Sequence, residues 1–403
     1  MPTHQKNNQE EEEIVEIEQQ PQDEESSVGL GEITKPFNPK DINIIVEPKT
    51  IGQLVTRLRF DEIDLNTEFQ RMGNLWSDEK QCRLIESILL RLPLPAFYFD
   101  ADNENKWLVV DGLQRLWSLK KFIANTEIKD PEKLKIKENR PIELSGLEIL
   151  TELNDKEVTY DKLNRTMQRR ILETPITTYL IQPGTPKNVK YNVFKRINSG
   201  GVGLNAMEIR NALNQEKPEG KKSPAQFLKE LSENSRLKQI LKLQYRRMED
   251  RELLLRACSF ILRDHTEYEK PLSVFLDTTM ELFYGKSDKE LEKLTNGIID
   301  AIYFQRDLFG KHLFSRSIVD KRSTRLNSAL FEVWVSETYK LSKEQKVNLI
   351  RNKTKLTNEY QELFTSEDYS EDFLRAVVSS TSGKKSVLER FEKIGDLIKK
   401  YSK

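Results

Sequence analysis

The stretch WLVVDGLQRLWSLKKF, residues 107–122, changes its period half-way along. Trp107, Leu108, Val109 and Val110 form an apolar run rich in β-formers and too short for a helix, so it predicts a buried strand. Leu113, Leu116, Trp117 and Phe122 then recur near helical spacing, with Lys120 and Lys121 late on another face, where they suit the helix dipole. Asp111 and Gly112 stand between the two. Gly112 can adopt backbone conformations closed to other residues, and the first turn of the helix offers uncapped N–H groups to an anion. Arg115 adds a planar guanidinium suited to phosphate oxygens, and Asp111 can hold a cation or accept a proton. The same junction also reads as a plain cap, with Asp and Gly chosen for turn geometry and Arg115 in a surface pair.

On the N-terminal side, residues 96–99 (AFYF) predict a strand, and residues 100–106 a polar turn that makes Trp107–Val110 its hairpin partner. Ser77 is a good N-cap for a helix whose Ile85, Ile88, Leu89 and Leu92 face a core, and Pro93 and Pro95 stop it. A short helix begins at Thr50, with Leu54 and Leu58 one turn apart. Gln70 and Arg71 lie between these helices, and Arg71 is expected to approach Arg115 across one small α/β layer. On the C-terminal side, residues 125–170 predict a variable insertion with a helix near Asp161–Leu172, and residues 175–181 (PITTYLI) a further strand. Lys187–Ile197 reads as a helix that stops at Asn198-Ser199-Gly200-Gly201, and Leu204 opens another carrying Met207, Ile209 and Leu213. Read alone, Arg196, Asn198 and the two glycines make a helix–turn–helix corner whose polar groups satisfy local backbone. From about Ser223 onward, stripes such as Leu253/Leu254/Ala257/Ile261 and Leu294/Ile298/Ile302 predict an all-α region. Arg246, Arg247 and Arg251 in that region are expected to face a nucleic-acid backbone or the α/β layer, with a plain solvated helix face as the simpler reading.

Across all 403 residues, 65 Lys and Arg balance 65 Asp and Glu, but unevenly. Residues 1–26 hold nine acids and one base, a net −8 that leaves +8 on the rest. A basic body with an acidic arm permits nucleic-acid binding. Residues 1–40 are rich in Glu and Gln and poor in aromatics, which predicts a disordered tail. The two cysteines, Cys82 and Cys258, and three histidines, His4, His265 and His312, give too little material for a disulfide framework or a Cys/His zinc site. No signal peptide or bilayer-length apolar run is found, so a cytoplasmic protein with no membrane partner is expected.

Five blocks in order resemble one family: FQR at 69–71 with Trp76, LIESILLRLPLP at 84–95, VVDGLQRLWSL at 109–119, FKRINSGGVGL at 194–204 with Glu208, and MEDRELLLRACSF at 248–260. These are similar to the prokaryotic proteins that share the N-terminal domain of the GmrSD modification-dependent restriction endonucleases. The resemblance implies an α+β chain: a ParB/sulfiredoxin-like α/β domain at 41–215, behind the tail at 1–40, then a mostly α-helical domain at 216–403. It also implies nucleotide binding, with hydrolysis and DNA cleavage or nicking, in defence against phage DNA. The family's signature Asp-Gly-Gln-Gln-Arg appears here as Asp111-Gly112-Leu113-Gln114-Arg115, with Leu113 replacing the first Gln. The C-terminal His-Asn-His nuclease domain of many relatives is not seen in the sequence.

Two functions follow from the resemblance. As an enzyme, an NTPase or DNA endonuclease, the chain would act through Asp111, Gln114 and Arg115. Gly112, Gln70, Arg71, Arg196 and Asn198 would bind the nucleoside triphosphate and its phosphates, with Mg²⁺ at Asp111. As a binding module, it would sense nucleotide or DNA and recruit a separate effector nuclease chain, a reading that Leu113 and the missing nuclease domain favour.

Overall fold

The computed structural model describes residues 16–18, 42–65, 76–128, 139–154, 157–197, 205–215, 220–243, 247–269, 271–366 and 370–403. They fall into two compact units, one within 33–204 and one combining 16–18 with 205–403.

The first unit is built on a five-stranded mixed sheet of order β1-β5-β3-β4-β2. Its strands are β1 (Ile44–Thr50), β2 (Ile63–Asp64), β3 (Phe97–Asp100), β4 (Trp107–Asp111) and β5 (Pro175–Ile181). The hairpin expected at 96–110 is present: β3 and β4 pair antiparallel with Phe99 opposite Val109 and a register shift between Tyr98 and Phe99. β5 runs parallel to β3, and β1 closes the other edge antiparallel to β5. Helices α1 (Ile51–Arg59), α2 (Asp78–Leu89), α3 (Leu113–Phe122), α4 (Arg165–Leu172) and α5 (Lys187–Ile197) complete the unit. Thr50 closes a capping box with Gln53, Ser77 accepts from the Lys80 N–H, and Asn164 accepts from the Met167 N–H. Each cap fixes where a chain leaving a strand or loop turns into a helix. The helical stripes then meet in one core that joins Leu54 and Leu58 of α1, Ile85 and Ile88 of α2, and Leu116 and Phe122 of α3 to Phe97 and Phe99 of β3.

Lys121, on the face of α3 away from the apolar stripe, is buried and donates to Asp78 in the first turn of α2 at 3.1 Å. Glu86, in the LIESILL block, is also buried, and accepts from the backbone N–H groups of Glu148, Ile149 and Leu150 at 3.2, 2.7 and 2.8 Å. It thereby pins the insertion to α2.

The second unit is helical, as expected. Helix Ala206–Leu213 belongs to it, and the two compact units divide at 204/205. The reason is polar anchoring: Arg210 donates to Asp277 at 2.7 Å, and Arg251 to Asn211 at 3.0 Å. At its centre Glu332, fully buried on helix Ser328–Tyr339, accepts from Arg256 at 2.7 Å and from Arg390. Arg390 also donates to the carbonyls of Ala376 and Thr381, at 3.2 and 2.7 Å. Gly297 lets helix Asp288–Phe309 approach its neighbour, since a Cβ there would lie 2.2 Å from a Tyr339 ring carbon. Within the stretch read as a disordered tail, residues 16–18 are paired: Ile17 bridges Leu326. The rest of 1–40 lies outside the described residues. No helix among those described is long and apolar enough to cross a membrane, and Cys82 and Cys258 are buried free thiols.

Two outcomes are expected. Glu332→Ala leaves two guanidinium groups buried without their carboxylate and should cost about 3–5 kcal/mol of stability, measured by urea unfolding. At Glu86, burial pushes the carboxyl pKa up, but the N–H groups of Leu150, Ile149 and Glu148 outweigh it and hold it below the usual value. That stabilisation is present above the ordinary glutamate pKa of about 4.3 and is lost as pH falls through the depressed value. Wild type should therefore melt above Glu86→Gln at neutral pH, and the gap should close in acid.

Candidate functional site

The bend at the end of β4 is held from inside. Gly112 caps α3 in the left-handed region, φ +98°, and no side chain caps the first turn. A Cβ on Gly112 would lie 2.5 Å from Phe97 Cδ1 and 3.1 Å from Arg115 Nη2, so both the φ and the packing require glycine. Arg115 does not reach outward. Its guanidinium is buried, 4.3 Å above the Phe97 ring, and donates to the carbonyls of Pro95 and, at 3.0 Å, Ala96. Nη2 also donates to Asp111 Oδ2 at 2.9 Å. Burial pulls the Arg115 pKa below its usual value against the opposing pull of Asp111. One side chain thus ties the entry of β3, the end of β4 and the start of α3 together.

Asp111 is the accessible member of the pair, its side chain 40% exposed against 9% for Arg115. Gln114 is half-buried and accepts the Trp76 N–H at 3.0 Å, while Gln81 donates to the Trp76 carbonyl at 2.6 Å. Gln114 therefore holds the entry to α2 against the first turn of α3, and Gln81 ties Trp76 to α2 itself. Tyr98 stacks on Tyr179 of β5 with ring centroids 4.6 Å apart, and burial, with Tyr179 and Asp111 nearby, raises its pKa.

Asp111, Gly112, Gln114 and Arg115 lie together at the bend, and Arg115 faces backbone carbonyls and Asp111, not an open cradle. Gln70, Arg71 and Asn198 lie outside the described residues. Arg196 is exposed at the end of α5. As a place for Mg²⁺, the bend supplies one carboxylate, and among the described residues no three His, Cys, Asp or Glu are grouped to hold a metal. That fits a cation arriving on a nucleotide's phosphates and does not fit a cage made by protein alone.

A cluster the sequence did not reveal lies at the other end of β3. Lys190 of α5, buried, reaches both oxygens of Asp100 at 3.1 Å and also pairs with Asp102. Asp100 is itself buried, which pushes its carboxyl pKa up against the pull of Lys190. The 90-residue separation of Lys190 and Asp100 hides this pair from any local pattern.

Residues 51–215 match the family model of the GmrSD restriction endonuclease, N-terminal domain. That stretch is similar to the GmrSD N-terminal domain family. Neither curated proteins nor solved structures give a match. The GmrSD-type match opens at α1 and ends just after helix Ala206–Leu213, so it covers the sheet unit from α1 onward, without β1, and the first helix of the second.

Substitutions at the bend should act on the fold. Gly112→Ala should cost about 1–3 kcal/mol from the left-handed backbone alone, with the Phe97 contact adding to it. Arg115→Lys, which cannot fork between two carbonyls and Asp111, should lose about 1.5–3 kcal/mol. Urea unfolding checks both; full stability in Arg115→Lys would show the clamp to be dispensable.

Proposed function

We propose that the GmrSD-type domain is the nucleotide-sensing module of a restriction-type defence protein, which acts on DNA through a partner effector and has no hydrolysis of its own. The observation that carries this reading is the engagement of Arg115 with Pro95, Ala96 and Asp111. A guanidinium already committed to two carbonyls is a brace, and a hydrolase needs it on the transferring phosphoryl group.

Sensing follows from the same contacts. A phosphate approaching the uncapped first turn of α3 meets Asp111, whose carboxylate occupies the guanidinium edge that the phosphate would take. Phosphate and Asp111 therefore compete for Arg115. Winning that competition loosens the tie between β4 and α3, and through Gln114 the shift reaches Trp76 at the entry to α2. Mg²⁺ accompanying the phosphates would be held by Asp111 and would supply charge neutralisation. Gln70, Arg71, Arg196 and Asn198 complete the proposed phosphate contacts.

A second reading, nucleotide hydrolysis with DNA nicking, is favoured by the exposure of Asp111 beside an uncapped helix terminus. Thermal shift against the nucleoside triphosphates with Mg²⁺, followed by phosphate release for each hit, separates the two. The sensing reading expects a raised melting temperature with no phosphate released, and, for nucleotide without Mg²⁺, tighter binding by Asp111→Asn, which weakens the internal competitor. Phosphate release that disappears in Asp111→Asn, at unchanged stability, would establish the hydrolytic reading instead.

A further inference from the structure

The helical unit carries a run of positive charge in the loops between helices Asp288–Phe309 and Ser328–Tyr339. Residues 311–325 hold Lys311, Arg316, Lys321, Arg322 and Arg325 against a single acid, Asp320. Asp320 is turned into its own loop, accepting from the Arg322 N–H at 3.1 Å and the Ser323 hydroxyl at 2.7 Å. Lys311, Lys321, Arg322 and Arg325 are exposed.

On this surface sits a piece of the acidic arm. Glu18 N–H donates to the Leu326 carbonyl at 2.7 Å, and Leu326 N–H to the Glu16 carbonyl at 2.9 Å, so Ile17 forms a parallel bridge with Leu326. Side chains set the specificity: the Glu18 carboxylate takes Arg316 and, at 2.8 Å, the Asn327 amide, and Glu16 pairs with Arg325 at 3.0 Å. Asn327 is a rigid donor there, because its other contacts cap helix Ser328–Tyr339 and bind the Val377 carbonyl. Backbone pairing with charged side pockets is how an extended peptide is recognised on a strand edge. The charges are those that would also meet a phosphate backbone.

We propose that the 311–325 loop surface is a contact site for the DNA backbone and that Glu16–Glu18 is its built-in competitor, holding Arg316 and Arg325 until DNA displaces it. Seven further acids of the arm, Glu10 to Glu13 and Asp23 to Glu25, surround the docked segment in sequence and raise the negative charge that DNA must displace. DNA is the ligand common to this site and to the proposed function; nucleotide is not. A failure at this surface shows in DNA binding alone, and a failure of nucleotide sensing shows in thermal shift alone.

The test is fluorescence anisotropy of a labelled DNA duplex with the full chain, without nucleotide, at low and moderate salt. Glu16→Gln with Glu18→Gln should bind roughly tenfold tighter than wild type at low salt, with a steeper salt dependence. Adding Lys321→Gln and Arg322→Gln to that background, which leaves the docked segment's partners in place, should remove the gain. A synthetic peptide of residues 10–25 should weaken DNA binding by the Glu16/Glu18 variant, an arm of the test that needs no further substitution. Unchanged affinity in the Glu16/Glu18 variant, or a gain that survives loss of Lys321 and Arg322, would overturn the proposal. Peptide binding without DNA binding by either form would also overturn it and make the surface a receptor for acidic peptides.

Discussion

The sheet unit depends on a buried guanidinium that has to be satisfied. Arg115 follows Gly112 by three residues, so a left-handed turn at Gly112 aims the side chain back beneath its own strand. There, burial removes water as a partner, and the carbonyls of Pro95 and Ala96 and the carboxylate of Asp111 replace it. Those three acceptors belong to the proline-rich lead into β3 and to the last residue of β4, which the β3–β4 pairing also sets side by side. With the bend fixed, the first turn of α3 presents Gln114 to Trp76, which sets where α2 begins. The hydrophobic core supplies most of the free energy of burial, but this polar clamp selects one arrangement of the segments around it.

Much of this was legible in the sequence because the signals are local. The period change at 107–122, the caps at Thr50 and Ser77, and the β-branched run at 175–181 each lead to the element observed. β1 was not read as a strand, because IIVEPKT carries a proline and two charges and lies at a sheet edge, half in contact with solvent. Two-residue β2 is too short to leave a pattern, and is held by pairing with Trp107 and Leu108. At the site, residue types were legible and directions were not. Whether an arginine faces a ligand or the carbonyls nineteen and twenty residues before it is decided by packing, which no spacing encodes. The Lys190–Asp100 pair and the anchoring of residues 148–150 by Glu86 escaped for the same reason.

The helical unit shows a parallel use of charge. Glu332 is wholly buried, and is tolerated because Arg256 and Arg390 meet both its oxygens. Arg390 in turn reaches the carbonyls of Ala376 and Thr381, so one ion network joins helix Ser328–Tyr339 to helix Lys384–Tyr401 and the turns before it. Asn327, at the start of the same helix, carries this order to the surface and holds the acidic segment 16–18 there. The docking site is thus built on the rigid part of the unit, while its ligand comes from the most charged part of the sequence.

Leu113 bears on which chemistry the bend supports. The family signature has Gln there, and a lost amide at a phosphate site would ordinarily suggest a lost water or base. Leu113 is 5% exposed, however, and packs in the same core as Phe97 and Leu116. Position 113 therefore faces the interior, where an amide would need hydrogen-bond partners and leucine needs none. The amide on the accessible side is Gln114, and it is retained, holding Trp76. On this geometry the replacement alters packing beneath the helix, and the balance between sensing and hydrolysis turns on whether a phosphate can take Arg115 from Asp111.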